Sequence, residues 1–299
     1  MKDFRPDKSP RALTIAGFDP SGGAGVLADV RTFSAFGFQP SAAITSLTFQ
    51  STERVFGAIH QTGEAVRAQV MPLVQDYTFA CTKTGMLPTR EVILEVARLF
   101  RETNLPRPVV DPVILSSSGQ VLMEENAIGV LINELMPLAC IVTPNISEAE
   151  TLTGITIRSE ADMRRAAAVI RDLGARAVLV KGGHLRKQKA EGRRQKAEGG
   201  RHQAEPRPLG RAHNSSVHNP KAEAQDGSNE AVDVLDNEGE VTVFREQRIS
   251  GAELHGSGCM LSAAIAAGLG KGMSLEDSVR AAKSFVLEAI RDLSLESNL

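Results

Sequence analysis

The stretch of sequence that decides the fold is EADMRRAAAVIRDLGARAVLV, residues 160–180. Its first part predicts a helix with one apolar face, because apolar residues recur every three or four positions. These residues are Met163, Ala166, Ala167, Ile170 and Leu173. Gly174 then stands where helix ends favour glycine, and residues 177–180 form a short apolar run typical of a buried parallel strand. The stretch therefore predicts one helix-to-strand unit of a parallel sheet.

The same alternation of short apolar runs and longer helical patterns occurs along the rest of the chain. It predicts an α/β fold with a mainly parallel central sheet and helices on both faces. Ligands of such sheets bind at the carboxyl ends of the strands. The other predicted strands are residues 13–16, 43–49, 78–82, 109–114, 141–143, 232–235 and 241–244, the last two forming a hairpin around residues 237–239, and a C-terminal helix is predicted over 279–293.

The composition excludes several classes of protein. Of the 299 residues 42% are apolar, and 34 Lys and Arg nearly balance 36 Asp and Glu. This balance gives no bulk field that would attract nucleic acid, and no apolar run approaches the roughly 18 residues of a membrane span. The three cysteines lack CxxC spacing, so neither a disulfide framework nor a zinc site is indicated, and we expect a cytoplasmic protein.

One segment, residues 186–230, differs from the rest of the chain. Its 45 residues contain six Ala, one Leu, one Val and no aromatic residue, which is too little to form a core. A seven-residue near-repeat within it lacks the apolar seam of a coiled coil. Ten Lys or Arg are interleaved with six Asp or Glu, which favours a solvated, disordered insertion over an anion-binding tract. We therefore predict a single domain over residues 1–299, with its core in 11–185 and 231–293.

Two glycine-rich turns each lead into a helical pattern. The first, AGFDPSGGAG at residues 16–25, matches neither GxGxxG nor GxxxxGK[ST], so it indicates neither a Rossmann dinucleotide site nor a P-loop. The second, HGSGC at residues 255–259, offers backbone amides and a helix dipole that suit a transferred phosphoryl group. A helix N-terminus also favours the thiolate of a cysteine, which makes Cys259 a candidate base near neutral pH.

Polar residues follow several of the predicted strands. Asp111, Asn145 and Glu148 carry oxygen atoms of the kind that bind Mg²⁺, and Lys181 can neutralise phosphate charge. Taken singly, each is also explained as a helix cap or an ion-pair partner. Because all of them fall at the same predicted edge of the sheet, together they favour a site for magnesium and a nucleotide.

Two residues near the predicted edge suit a flat heterocycle. Gln50 has a side-chain amide whose donor and acceptor can read the edge of a ring, and Met86 suits the apolar face of one. An exposed loop glutamine is an equally simple explanation of Gln50.

Taken in order, these motifs resemble those of the hydroxymethylpyrimidine/phosphomethylpyrimidine kinases of thiamine biosynthesis. The resemblance implies a ribokinase-like fold, a homodimer and a Mg²⁺-dependent enzyme that uses ATP twice. It would phosphorylate 4-amino-5-hydroxymethyl-2-methylpyrimidine to its monophosphate and then to its diphosphate. The matching motifs are LTIAG and DPSGGAG within residues 13–25, AD at 28–29, KTGM at 83–86, DPV at 111–113, TPN at 143–145, EAE at 148–150, KGGH at 181–184 and GSGC at 256–259.

The resemblance also implies a role for individual residues. Cys259 takes the position of the catalytic base, which is often Asp in ribokinase relatives. The other implied roles are an anion hole formed by Gly256, Ser257 and Gly258, a pyrimidine pocket lined by Gln50, Gly17, Asp29, Met86 and Val113, ATP and phosphate binding by Asp111, Asn145 and Lys181, and metal binding by Glu148.

The chain departs from the family pattern at two threonine positions, which Leu254 and Met260 occupy here. Loss of these hydroxyls is expected to weaken ATP contacts, whereas Ser257 keeps a hydroxyl and the backbone amides do not depend on side chains. Three alternatives stay open. One is a pyridoxal kinase, because pyridoxal also presents a hydroxymethyl group on a flat ring. The others are a pyrimidine-binding sensor without catalysis and a partner-binding protein that acts through residues 186–230.

Overall fold

The computed structural model describes residues 9–51, 54–116, 119–182, 230–247, 249 and 254–296. Nine strands form a single sheet in the order β3-β2-β1-β4-β5-β6-β7-β8-β9. The strands are β1 (Arg11–Phe18), β2 (Gln39–Gln50), β3 (Val55–His60), β4 (Phe79–Thr84), β5 (Val109–Val110), β6 (Ile141–Val142), β7 (Ala177–Lys181), β8 (Glu230–Asn237) and β9 (Glu240–Gln247). The six strands from β2 through β1 to β7 are mutually parallel, whereas β3 and β8 pair antiparallel to their neighbours.

Helices cover both faces of the sheet, as predicted. One core contains the apolar residues of α2 to α6 and the sheet face beneath them, and the other contains those of α1, α7 and α8. The helices are α1 (Gly25–Ala35), α2 (Gly63–Asp76), α3 (Arg90–Glu102), α4 (Glu125–Val130), α5 (Ile146–Thr153), α6 (Glu160–Asp172), α7 (Ser257–Gly270) and α8 (Leu275–Glu296), and α4 continues as a π-helix over Leu131–Leu135 and a 3-10 turn over Met136–Leu138.

Most of the predicted elements are confirmed, including α6 and β7 in the stretch from which the prediction starts. The C-terminal hairpin is also confirmed, since Glu238 and Gly239 both have positive φ angles, 54° and 98°, between β8 and β9. This is the backbone that two-residue hairpin turns require.

Two features of the sheet differ from the prediction. The run predicted over residues 109–114 is a strand only at Val109–Val110, because Pro112 follows and has no N–H to donate to a ladder. Strand β3 was not predicted, since it lies at the sheet edge with both faces partly exposed and shows no clear apolar alternation.

The predicted disorder of residues 186–230 falls almost wholly on positions 183–229, which lie outside the described residues. Among the helices that the structure describes, none combines the length and the apolar character needed to cross a membrane.

Candidate active site

The strands that carry the predicted site residues end along one edge of the sheet. Backbone hydrogen bonds continue from one strand end to the next, so the residues after β4, β5, β6 and β7 lie side by side. The N–H groups of Asp111, Thr143 and Lys181 donate to the carbonyls of Thr84, Val110 and Pro144, each at 2.9 Å. The structure therefore brings the predicted phosphate-binding residues together at the carboxyl edge.

Asp111 is the centre of a buried polar cluster at this edge. The Lys181 ammonium donates to its Oδ1 at 2.9 Å, Thr143 Oγ1 donates to the same oxygen at 3.1 Å, and Ser262 Oγ donates to Oδ2 at 3.3 Å. Burial alone would lower the pKa of Lys181, but the charges of Asp111 and Glu148 outweigh it and raise that pKa. The side chain of Lys181 keeps 15% of its area exposed.

The second glycine turn places the N-terminus of α7 beside this lysine. Gly256 precedes the helix with a φ of 79°, and a Cβ on it would lie 2.0 Å from the carbonyl oxygen of Gly23. A Cβ on Gly258 would lie 3.2 Å from Lys181 Nζ. The N-terminus of a helix of this length and a nearby ammonium attract an anion. The residues predicted to form an anion hole thus lie beside Lys181, although the N–H of Ser257 is already donated to the Leu254 carbonyl.

The first glycine turn packs directly against the second. Asp19 accepts hydrogen bonds from the N–H groups of Ser21 and Ala24, both at 2.9 Å, and lies 3.0 Å from His255 Nε2. Burial alone would raise the pKa of Asp19, but these hydrogen bonds outweigh it and lower the pKa. Asp19 therefore stays ionised and ties the two turns into one unit.

Cys259 lies in the first turn of α7 and is half-buried. Burial raises the pKa of its thiol to about 11, the direction opposite to that expected from the helix N-terminus. The charge of Lys83 and a hydrogen bond from the Gly25 backbone lower this pKa, whereas the charges of Asp29 and Asp111 raise it. Desolvation is the largest of these effects and decides the direction of the shift.

Asn145 and Glu148 form a reciprocal capping box at the start of α5. The N–H of Asn145 donates to Glu148 Oε2 at 2.8 Å, and the N–H of Glu148 donates to Asn145 Oδ1 at 2.9 Å. Burial raises the pKa of Glu148 to about 7, against the opposing effect of Lys181. Asn145 and Glu148 thus cap α5, which is the structural explanation that their sequence positions left open. Both also lie at the carboxyl edge of the sheet, where a nucleotide would bind.

The candidate pyrimidine side lies around the ends of β1, β2 and β4. A Cβ on Gly17 would lie 2.9 Å from Met86 Sδ, so these two predicted residues are in contact. Gln50 is half-buried and ends β2 three residues beyond Leu47, which pairs with Phe18 at the end of β1. At about 3.3 Å per residue, Gln50 lies about 10 Å beyond the end of β1, where β2 is still paired with β3 through Val55. Val113, two residues after Asp111, is half-buried at the same edge.

A cavity of about 210 Å³ opens next to Met86. It lies between strand β3, represented by Gly57 and His60, and the segment 120–124. This space is large enough for part of a small ring compound and small compared with typical ligand pockets.

Asp29 does not reach this surface. Its side chain has no exposed area, and it accepts hydrogen bonds from Thr14 at 2.6 Å and from Lys83 at 2.8 and 2.9 Å. Sequence reasoning gave Lys83 no clear role. The available signal was a lysine inside FACTKT, an otherwise uncharged buried strand.

The two positions that depart from the family pattern keep their backbone geometry. Met260 N–H donates to the Gly256 carbonyl at 2.9 Å, and Ser257 N–H donates to the Leu254 carbonyl at 3.1 Å. The turn before α7 is therefore built by main-chain bonds that neither substitution removes.

Comparison with known proteins identifies the family of the chain. Residues 19–207 and 218–298 match the family described as phosphomethylpyrimidine kinase. A hydroxymethylpyrimidine/phosphomethylpyrimidine kinase of Rhizobium meliloti is 38% identical over 280 residues, which cover 93% of this chain and 90% of that protein. The crystal structure of a Clostridium difficile phosphomethylpyrimidine kinase superposes with a TM-score of 0.72 at 33% identity, covering 94% of this chain and 100% of that one.

Pyridoxal kinases share the fold. The ADP complex of the Bacillus subtilis pyridoxal kinase superposes with a TM-score of 0.73 at 30% identity and covers 93% of this chain and 90% of that one. The family match covers most of the first glycine turn, all of the second and the polar residues at the carboxyl edge, so the chain belongs to the hydroxymethylpyrimidine/phosphomethylpyrimidine kinase family.

Proposed function

We propose that this enzyme phosphorylates 4-amino-5-hydroxymethyl-2-methylpyrimidine with ATP, first to the monophosphate and then to the diphosphate. The observation that supports this most is the meeting of Cys259, the α7 amides and Lys181 at one edge of the sheet, next to Gly17 and Met86. A proton acceptor, an anion site and a surface for a flat ring are thus adjacent. Phosphoryl transfer to a hydroxymethyl group needs these three parts.

In the first step, the hydroxymethyl oxygen attacks the γ-phosphorus of ATP while the Cys259 thiolate takes its proton. The bond from the γ-phosphorus to the ADP oxygen breaks, and the thiol later returns its proton to solvent. The amides at Gly256 and Gly258 and the Lys181 ammonium stabilise the charge on the transferred group, whereas the Ser257 N–H is donated to Leu254 and holds the turn. Asp111 holds Lys181 in place for this role.

In the second step, the nucleophile is an oxygen of the monophosphate. A phosphate monoester is largely ionised at neutral pH, so this oxygen has no proton to lose. The second transfer therefore depends on positioning and charge stabilisation but not on a base. The two steps should respond differently to the loss of the thiol.

The residues at the edge fit a magnesium ion that is held mainly by phosphate and water. Within the described residues, no group of three or more His, Cys, Asp or Glu is arranged to hold a metal alone. Mg²⁺ in kinases commonly uses only one or two carboxylates besides the phosphates. Glu148 and Asp111 would hold it here, and when bound it neutralises charge on the β- and γ-phosphates.

A turnover assay that separates monophosphate from diphosphate tests the proposal. With saturating Mg·ATP, the hydroxymethylpyrimidine should be consumed and both products should appear in order. Pyridoxal is assayed in parallel. Efficient phosphorylation of pyridoxal, with neither pyrimidine consumed, would establish the alternative kinase. Calorimetric binding of the pyrimidine without ADP formation would establish the non-catalytic sensor.

We also propose that two copies of the chain associate through the β2–β3 hairpin. Leu47, Phe49 and Ile59 lie on one face of this hairpin and are 39%, 50% and 55% exposed, and β3 ends the sheet that the described residues form. An apolar sheet edge of this kind is usually covered. Sedimentation should show a dimer that Ile59→Asp dissociates and the control Leu293→Asp, on α8, leaves intact. A monomeric native chain would refute this.

We expect the enzyme to work in the cytoplasm, where ATP is available and thiols stay reduced. All three cysteines are free thiols, Cys259 among them.

A further inference from the structure

A buried lysine on β4 is not explained by the functions described above. The side chains of Lys83 and Asp29 both have 0% exposure, so neither can touch a ligand. Replacing a buried ion pair by apolar residues of similar size is often neutral or stabilising. Stability alone is therefore a weak explanation for the Lys83–Asp29 pair. The position of the pair in the fold suggests a second role.

The pair lies on the side of the sheet that α1 and α7 cover. Thr14, which also bonds to Asp29, pairs with Lys83 across β1 and β4. Cys81, two residues before Lys83 and thus on the same strand face, meets the end of α7, where a Cβ on Gly270 would lie 2.9 Å from its Cβ. Lys83 therefore points into the layer between β4 and the helix that carries Cys259.

Helix α1 links the pair to the thiol. A backbone hydrogen bond from Gly25, the first residue of α1, reaches Cys259. Asp29 follows four residues later, on the same face of the helix one turn on. A Cβ on Gly25 would lie 2.3 Å from the Gly17 carbonyl oxygen, and a Cβ on Gly85 would lie 2.9 Å from Lys83 Nζ and 3.0 Å from Ala16 Cβ. The glycine that bonds to the thiol and the Lys83 ammonium therefore meet at the same end of β1.

Four charged groups act on the Cys259 thiol. Lys83 on β4 and Lys181 on β7 favour its thiolate, whereas Asp29 on α1 and Asp111 after β5 oppose it. Lys83 has the largest effect among the charges. Its own pKa is raised by Asp29, although burial acts in the other direction, so it stays protonated when the thiol ionises.

We propose that Lys83 is a positioning residue whose ammonium charge, held in place by Asp29 and Thr14, stabilises the Cys259 thiolate from inside the fold. Burial raises the pKa of Asp29, and the charge of Lys83 and the hydrogen bonds from Lys83 and Thr14 act in the opposite direction. The role rests on the proposed function, in which Cys259 is the base.

The test is a titration of Cys259 in the full-length chain without substrate, read as the ultraviolet absorbance of its thiolate relative to a Cys259→Ser variant. Lys83→Met should raise the apparent pKa of the thiol by about one unit or more, because it removes the attracting charge. Asp29→Asn should lower it, because it removes the opposing charge and leaves the lysine. Opposite shifts from two halves of one ion pair are not expected of a general disturbance of packing.

Two further variants keep the test decisive. The double variant Lys83→Met/Asp29→Asn leaves no unpaired buried charge, so it remains measurable if a single variant fails to fold, and its thiol should titrate within about half a unit of native. Lys283→Met breaks another buried pair, with Asp233, between α8 and β8, and should leave the thiol unchanged. Shifts of the same sign in both single variants, an unshifted Lys83→Met, or a double variant that titrates like Lys83→Met alone would overturn the proposal.

This titration uses no substrate, so its result is independent of the proposed activity. If the thiol responds to Lys83 as stated but Cys259→Ala retains turnover, the charge coupling stands and the assignment of the base fails. If Cys259→Ala loses turnover but the thiol does not respond to Lys83, the inference fails and the proposed function stands.

Discussion

Two lysine–aspartate pairs flank the start of α7, and they differ mainly in exposure. Lys181 binds Asp111 with 15% of its side chain exposed, whereas Lys83 binds Asp29 with none. Both ammonium groups are held by a carboxylate at 2.8 to 2.9 Å and both act on Cys259. Only Lys181 can meet a phosphate. The comparison teaches that exposure, more than charge or distance, separates a ligand-binding lysine from one that acts through its neighbours.

Replacement of Cys259, the base that both lysines act on, should reduce the rate of phosphorylation more than any other substitution discussed. Cys259→Ala is expected to slow the first phosphorylation about 10²–10⁴-fold, the usual range for a positioned base. The second phosphorylation should slow less than tenfold, because the attacking phosphate oxygen needs no base. Rapid-quench assays started from the pyrimidine and from its monophosphate measure the two steps separately. An equal loss in both steps would show that the thiol acts by another means.

Loss of the Lys181 ammonium should lower the rate of both phosphorylation steps. Lys181→Met is expected to lower kcat about 10²–10³-fold for pyrimidine and monophosphate alike, as for other lost donors to a developing charge. Lys181→Arg should recover part of the loss because it keeps the charge. The measurement is kcat for each substrate at saturating ATP. A normal kcat in Lys181→Met would exclude the lysine from the transition state.

The buried lysine should matter more for stability than its exposed counterpart. Lys83→Met leaves Asp29 without its main partner in a fully buried site, which is expected to cost about 3–5 kcal/mol of unfolding free energy. Lys181→Met should cost less, because Asp111 keeps hydrogen bonds from Thr143 and Ser262. Urea denaturation of the two variants compares them directly. The reverse order of stabilities would contradict the contrast between the pairs.

The smallest effect on activity is expected at Gln50, which lies outside both lysine–aspartate pairs. Gln50→Ala should raise KM for the pyrimidine about tenfold with little change in kcat, because the amide contact is made equally in the ground and transition states. Gln75→Ala, an exposed glutamine on α2, is the matched control. Steady-state kinetics with the pyrimidine varied give both constants. A change in the KM for ATP alone would show that Gln50 does not bind the pyrimidine.

Local sequence patterns predicted the parts of the fold that local physics determines. The alternation of α6 and β7 predicted the parallel sheet, and the positions of Asp111, Asn145, Glu148 and Lys181 after strands predicted their shared edge. Strand β3 was missed because an exposed edge strand needs no apolar alternation.

Local sequence patterns could not predict contacts between residues that are far apart in the chain. Lys83 and Asp29 are 54 residues apart, and no local pattern indicates that a lysine within a strand pairs with an aspartate on a helix. The direction of the Cys259 pKa was wrong for the same reason. The helix N-terminus can be read from the HGSGC motif, but the burial that outweighs it arises only when the chain has folded.

The pH dependence of single-turnover transfer to the pyrimidine tests the central claim most directly. The thiol accepts a proton only as thiolate, and burial raises its pKa to about 11, so its reactive fraction grows with pH throughout the neutral range. The native rate should therefore rise about tenfold per unit between about pH 6 and pH 9, and Cys259→Ala should be slow and flat. A native rate that does not rise, or the same slope in Cys259→Ala, would contradict the account.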